Sequence, residues 1–143
     1  MAKKLLFLCT GNSCRSQMAE GWCKALHKDS IEAYSAGIET HGLNANAIAV
    51  MKEVGIDLSE HCSQHVDEFK NVSFDYVITV CSHAHESCPV FSGQAKIIHA
   101  GFGDPPAMAK KIKEPERQLD CYRQVRDQIK EYIEKLPQAL NFA

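Results

Sequence analysis

The sequence predicts an α/β fold, with one domain over residues 1–143 built on an open parallel sheet of about four strands and helices on both faces. Three observations carry this expectation. Two short unbroken apolar or β-prone runs, Leu5–Leu8 and Tyr76–Val80, each lead into a cysteine. Helical periods lie between the strand candidates, so the two kinds of element alternate. A long amphipathic stripe closes the chain. With 143 residues, 45% of them apolar, the chain buries one core and leaves little for a second.

The elements are taken in chain order. Leu5-Leu6-Phe7-Leu8 lacks polar alternation, as a strand covered on both faces does. Met18, Ala19, Trp22, Ala25 and Leu26 recur at helical spacing, and Ile31–Ser35 is a weaker strand candidate. Ile48, Met51 and Val54 form a second helical stripe, with Asn44 placed to cap it and Gly55 to stop it. Tyr76–Val80 repeats the pattern of the first strand, and Lys96–His99 is a short fourth. The Gly/Pro-rich stretch 101–106 reads as a loop inside the domain. Leu119, Tyr122, Val125, Ile129, Ile133 and Leu136 then share one face of a helix that starts near Pro115 and stops at Pro137. In open sheets of this kind ligands bind beyond the carboxyl ends of the strands, and Cys9 and Cys81 fall there.

Composition excludes several classes. The net charge of −2 comes without a basic run or an aromatic-basic stripe, which argues against nucleic acid. Met1-Ala2-Lys3-Lys4 leads into only five apolar or thiol residues, Leu5 to Cys9, too few for a signal-peptide core or a membrane span. The expectation is a cytoplasmic protein with no membrane contact, acting as a monomer. Its seven cysteines are then not a secreted disulfide framework and have to be sorted singly.

Cys9-Thr10-Gly11-Asn12-Ser13-Cys14-Arg15-Ser16 places a thiol at a strand end, a loop of small residues after it, and an arginine at the start of a helix. Consecutive backbone N–H groups and the positive end of the helix point at the centre of such a loop, and a guanidinium closes it. A tetrahedral oxyanion fits there. The same donors favour a thiolate at Cys9, which makes it a nucleophile, and Ser16 is placed to donate to its sulfur.

Cys-x5-Arg-Ser after the first strand, with Asp104-Pro105 far downstream, resembles the low-molecular-weight protein tyrosine phosphatase superfamily, whose Asp-Pro supplies a general acid. The longer matches from Cys9 to Trp22 and from Ser35 to Gly42, with Cys81 and the Cys88-Pro89 pair, resemble its thioredoxin-coupled arsenate reductases. The resemblance covers nearly the whole chain. It implies that Cys9 attacks arsenate in the cradle formed by residues 10 to 16 while Asp104 gives a proton to the departing oxygen. Cys81 then forms a disulfide with Cys9, Cys88 resolves it, and thioredoxin reduces the Cys81–Cys88 pair. If the strands ending at Cys9 and Cys81 are neighbours, they lie about 4.8 Å apart, within disulfide reach. A helix from 81 to 88 would hold its ends about 10 Å apart, so the second disulfide requires that helix to unwind.

Other readings compete at several positions. Cys81, His83, His85 and Cys88 could instead supply zinc ligands, although the spacing is not a standard zinc pattern. Cys14 fills space inside the loop, and Cys23, Cys62 and Cys121 lack a catalytic neighbourhood and read as packing or surface thiols. His41 and His61 read as hydrogen-bonding loop histidines. The resemblance also implies a potassium ion near Asn12, Glu20, Ser35 and position 64. Position 64 is Gln64, where those relatives carry a carboxylate, which weakens the site. A phosphatase of the same fold shares the first half of the chemistry, but such enzymes commonly carry an aromatic residue after Asp-Pro, and here Pro106 and Ala107 come next.

Overall fold

The computed structural model describes residues 2–86 and 95–141; Cys88 lies outside them. The described chain runs β1 (Lys3–Cys9), α1 (Arg15–Leu26), β2 (Ile31–Gly37), α2 (Ala45–Glu53), a single 3-10 turn (Val66–Phe69), β3 (Tyr76–Thr79), α3 (Ser82–Glu86), β4 (Lys96–His99), α4 (Pro105–Ala109) and α5 (Pro115–Ala139). The strands form one parallel sheet in the order β2-β1-β3-β4. From β1 the chain crosses to β2 on one side, and β3 and β4 are laid down on the other. The sheet therefore switches direction between β1 and β3, where an open α/β sheet leaves a crevice at its carboxyl edge.

Leu5, Leu6, Phe7 and Leu8 are all fully buried, so both faces of the central strand are covered, as the unbroken apolar run requires. On one face α1 contributes Met18, Trp22 and Cys23, and α5 contributes Val125, Ile129, Ile133 and Leu136. The Trp22 indole N–H donates to the Arg126 carbonyl at 3.1 Å and ties the two helices together. Ser35 of β2 meets Glu20 of α1, so alternation turns Tyr34 to the opposite face. There its ring packs edge-on against Phe69 and Phe74, with centroids 5.6 and 5.3 Å away. No helix among the described residues is long and apolar enough to cross a membrane.

Asn44 caps α2 as expected, its side chain accepting from the amides of Asn46 and Ala47. The expected end of the last helix at Pro137 differs from what is found, because α5 runs on to Ala139. A proline inside a helix strips the carbonyl four residues earlier of its donor. That carbonyl belongs to Ile133, and His27 at the end of α1 approaches it with Nε2 at 2.7 Å. A hydrogen bond from another element replaces the missing one. The expected loop 101–106 likewise gives way at Pro105, where the fixed φ of two prolines opens the short α4.

Candidate active site

The turn from β1 into α1 is held from outside through its carbonyls. The carbonyls of Cys9, Thr10, Gly11 and Ser13 accept from the amides of Ile38, Glu39, His41 and Asn44. The Asn12 carbonyl accepts from Ser63 Oγ at 2.7 Å and Gln17 Nε2 at 3.2 Å, and that of Cys14 from the Met18 amide. Among the described residues, the amides of residues 11 to 15 donate to no protein group. A run of amides with its carbonyls tied away is a nest for an anion.

Asn12 makes this shape possible. Its φ of 50° is left-handed, a conformation that asparagine tolerates better than most residues. Its Oδ1 accepts from the Gln64 amide at 2.7 Å and from Gln17 Nε2 at 3.1 Å. Gln17 is fully buried and also donates to the Cys62 carbonyl at 3.1 Å, while its Oε1 accepts from His61 Nδ1 at 2.9 Å. Burial holds His61 below the ordinary imidazole pKa, against the opposing pull of Glu20. A neutral His61 keeps one proton on the nitrogen that Gln17 needs.

Cys9 is buried at the end of β1, with its Sγ 2.8 Å from Ser16 Oγ. Ser16 Oγ also accepts from Asn12 Nδ2 at 2.8 Å, and its own hydrogen is available to a thiolate at Cys9. A cavity of about 260 Å³ opens above it, lined by Cys9–Gly11 and Ser13–Arg15 together with His41, Asp104 and Pro106. The Arg15 guanidinium donates from Nη1 to the Phe102 carbonyl at 3.1 Å and lies 3.8 Å from Asp104 through Nη2. Asp104 stands at the start of α4 without capping it, and its half-exposed carboxyl faces this cavity. Burial, reinforced by Cys9, pushes the Cys14 thiol far above its ordinary pKa, so Cys14 remains a neutral wall.

Cys81 lies directly behind the loop and does not line the cavity. Its buried Sγ is 3.3 Å from Thr10 Oγ1 and accepts from the Ala84 amide at 3.4 Å. Leu8 is paired with Thr79, so Cys81 sits one residue past the position opposite Cys9. A continued parallel register separates their Cα atoms by roughly 6 Å, within the disulfide range.

Of the residues that the resemblance names for a potassium ion, Ser35 meets Glu20 and the Gln64 backbone meets Asn12, and the Glu20 and Asn12 side-chain oxygens are engaged. Ser35 Oγ donates to one oxygen of Glu20, the Lys24 ammonium holds the other, and Asn12 Oδ1 accepts two N–H groups. The described residues contain no group of three His, Cys, Asp or Glu side chains arranged to hold a metal ion. Of the remaining thiols, Cys23 is fully buried and pushed up to about 12 by burial and Glu20, Cys62 is exposed, and Cys121 is half-buried. The braces formed by Gln17, His61 and Ser63, and the place of His41 on the cavity wall, carry no spacing signal in the sequence.

The model of the family described as low molecular weight phosphotyrosine protein phosphatase matches residues 4–142. An arsenate reductase of Halalkalibacterium halodurans is 48% identical over 130 residues, covering 90% of this chain and 91% of the relative. An arsenate reductase of Staphylococcus aureus strain N315 is 46% identical over 133 residues, covering 93% and 95%. A solved structure described as an arsenate reductase in the phosphate binding state superposes with a TM-score of 0.68 at 34% identity, covering 96% of this chain and 98% of that one.

Proposed function

The chain belongs to the low molecular weight phosphotyrosine protein phosphatase family, and from that premise we propose that it is an arsenate reductase working through a three-cysteine relay. The observation that carries the oxyanion half of this reading is the turn whose amides from residue 11 to 15 meet no protein acceptor among the described residues, at the cavity that holds Cys9 and Arg15. The relatives called arsenate reductases supply the arsenic. Among the described residues no Phe, Tyr or Trp lines the cavity, which suits a small inorganic anion better than an aryl phosphate.

Arsenate binds with its oxygens on the loop amides and Arg15. The Cys9 thiolate attacks arsenic(V), the As–O bond to one oxygen breaks, and Asp104 in its acid form protonates that oxygen so that it leaves as water. The Cys81 thiolate then attacks the Cys9 sulfur. The S–As bond breaks with its electron pair moving to arsenic, arsenite departs as arsenic(III), and Cys9–Cys81 remains as a disulfide. Cys88 attacks the Cys81 sulfur, which frees Cys9 as a thiolate and leaves Cys81–Cys88 for thioredoxin to reduce. The enzyme works as a cytoplasmic monomer with a weak phosphatase side activity from the same cavity. The engaged oxygens around Glu20 do not fit a potassium ion.

The test compares thioredoxin-dependent arsenate turnover with hydrolysis of p-nitrophenyl phosphate, followed by peptide mapping of Cys88→Ser after one equivalent of arsenate. The expected linkage is Cys9 to Cys81. Efficient hydrolysis that survives Cys81→Ser and Cys88→Ser, in a parent without arsenate turnover, would make this a phosphatase instead.

A further inference from the structure

The cavity wall holds one group that the relay does not use. His41 lies on the segment after β2, and its backbone amide donates to the Gly11 carbonyl at 3.0 Å. Its ring covers Gly11 so closely that a Cβ built there would stand 2.3 Å from Nδ1, which explains a glycine at this point of the loop. Nε2 is engaged, 2.7 Å from Oε2 of Glu39. Nδ1 meets no hydrogen-bond partner among the described residues, although the ring lines the cavity.

The charges around that ring make it useful. The cavity brings together the Cys9 thiol, Asp104 and an incoming oxyanion, against one permanently positive group, Arg15, whose guanidinium already serves the Phe102 carbonyl and Asp104. Cys14 stays neutral. Among the described lining residues His41 alone can add a second positive charge, and Glu39 meets its Nε2. Protonated, the imidazole donates from Nε2 to Glu39 and has Nδ1–H left for the anion. A charge-assisted hydrogen bond at the edge of a loop of neutral amides tightens ground-state and transition-state binding alike.

We propose that His41, oriented by Glu39, is a second anion-binding side chain of this cavity, donating from Nδ1 to an oxygen of the bound arsenate beside the Arg15 contact. The proposal rests on the oxyanion reading above and assigns His41 a share in substrate affinity while leaving the chemical step to Cys9 and Asp104.

The experiment measures steady-state arsenate reduction and, separately, calorimetric binding of inorganic phosphate, in the parent, His41→Gln and Glu39→Gln. Glutamine keeps the backbone bond to Gly11 and removes the charge. His41→Gln should raise KM for arsenate and Kd for phosphate about tenfold each, with kcat within about twofold, the pattern of lost uniform binding. Glu39→Gln, outside the cavity, should raise both about threefold by loosening the ring. Unchanged KM and Kd in both variants, or a fall in kcat with affinity preserved, would overturn the assignment. If His41→Gln fails to fold, Glu39→Gln decides it, because unchanged affinity there leaves the ring without its orienting partner's effect. A parent that binds phosphate but does not reduce arsenate, with phosphate binding weakened in His41→Gln, overturns the reductase reading and sustains this one.

Discussion

Ser16 Oγ lies 2.8 Å from Cys9 Sγ, placed to donate to a thiolate there, while Asn12 Nδ2 donates to the same oxygen. The first turn of α1 thus holds the Cys9 sulfur through a side chain. Ser16→Ala removes that donor and leaves Asn12 Nδ2 without an acceptor. The expected result is a fall of about tenfold in kcat/KM for arsenate, corresponding to about 1.4 kcal/mol for a hydrogen bond to a charged group. A slower alkylation of Cys9 by iodoacetamide at neutral pH would locate the loss at the sulfur.

His27 and Pro137 form a pair across the molecule. The proline leaves the Ile133 carbonyl without its helical donor, and the histidine supplies one. His27→Ala should lower stability by about 1–2 kcal/mol, the cost of an unsatisfied buried carbonyl. Pro137→Ala restores an N–H in the right place and should recover part of that loss in the double variant. Urea denaturation of the four proteins forms a double-mutant cycle, and strictly additive effects would show that the two residues are independent.

Glu53 bridges α2 to α5 through Arg123 and Arg126. Hydrogen bonding from Arg123, then from Arg126, lowers its carboxyl from 4.5 to about 2. A depressed carboxylate stabilises the fold above its unfolded pKa, and the contribution fades as pH falls through its folded value. The thermal midpoint should therefore drop between pH 4.5 and about 2, and less steeply in Glu53→Gln. Because Glu53 is at the surface, 1 M salt should shrink the difference between the two proteins.

Sequence and structure agree where a single local rule decides. Leu5–Leu8 had to be a doubly covered strand, Asn44 had to cap α2, and Cys9 and Arg15 at either end of one strand-to-helix turn had to lie on one cavity. Agreement ends where partners meet across long stretches of chain. Pro137 looks like a stop because the donor that tolerates it, His27, is 106 residues away from the carbonyl it serves. His41 reads as an ordinary loop histidine because neither its cover over Gly11 nor its open nitrogen leaves any pattern in the sequence. The place of Cys81 behind Thr10, and not on the cavity wall, depends on a one-residue offset between β1 and β3 that periodicity does not fix.

The nest is assembled from three pieces of chain, for besides its own residues the amides of Ile38, Glu39, His41 and Asn44 hold its carbonyls. Gln64 and Ser63 grip Asn12 directly, and the Cys62 carbonyl and His61 hold the Gln17 side chain that completes the grip. The unit that could be transplanted into another βα scaffold is therefore the Cys9–Gln17 motif together with the segment 38–44 and the distant strap at 61–64. Grafted alone, the motif would carry its sulfur and arginine into the new host and leave behind what bends it.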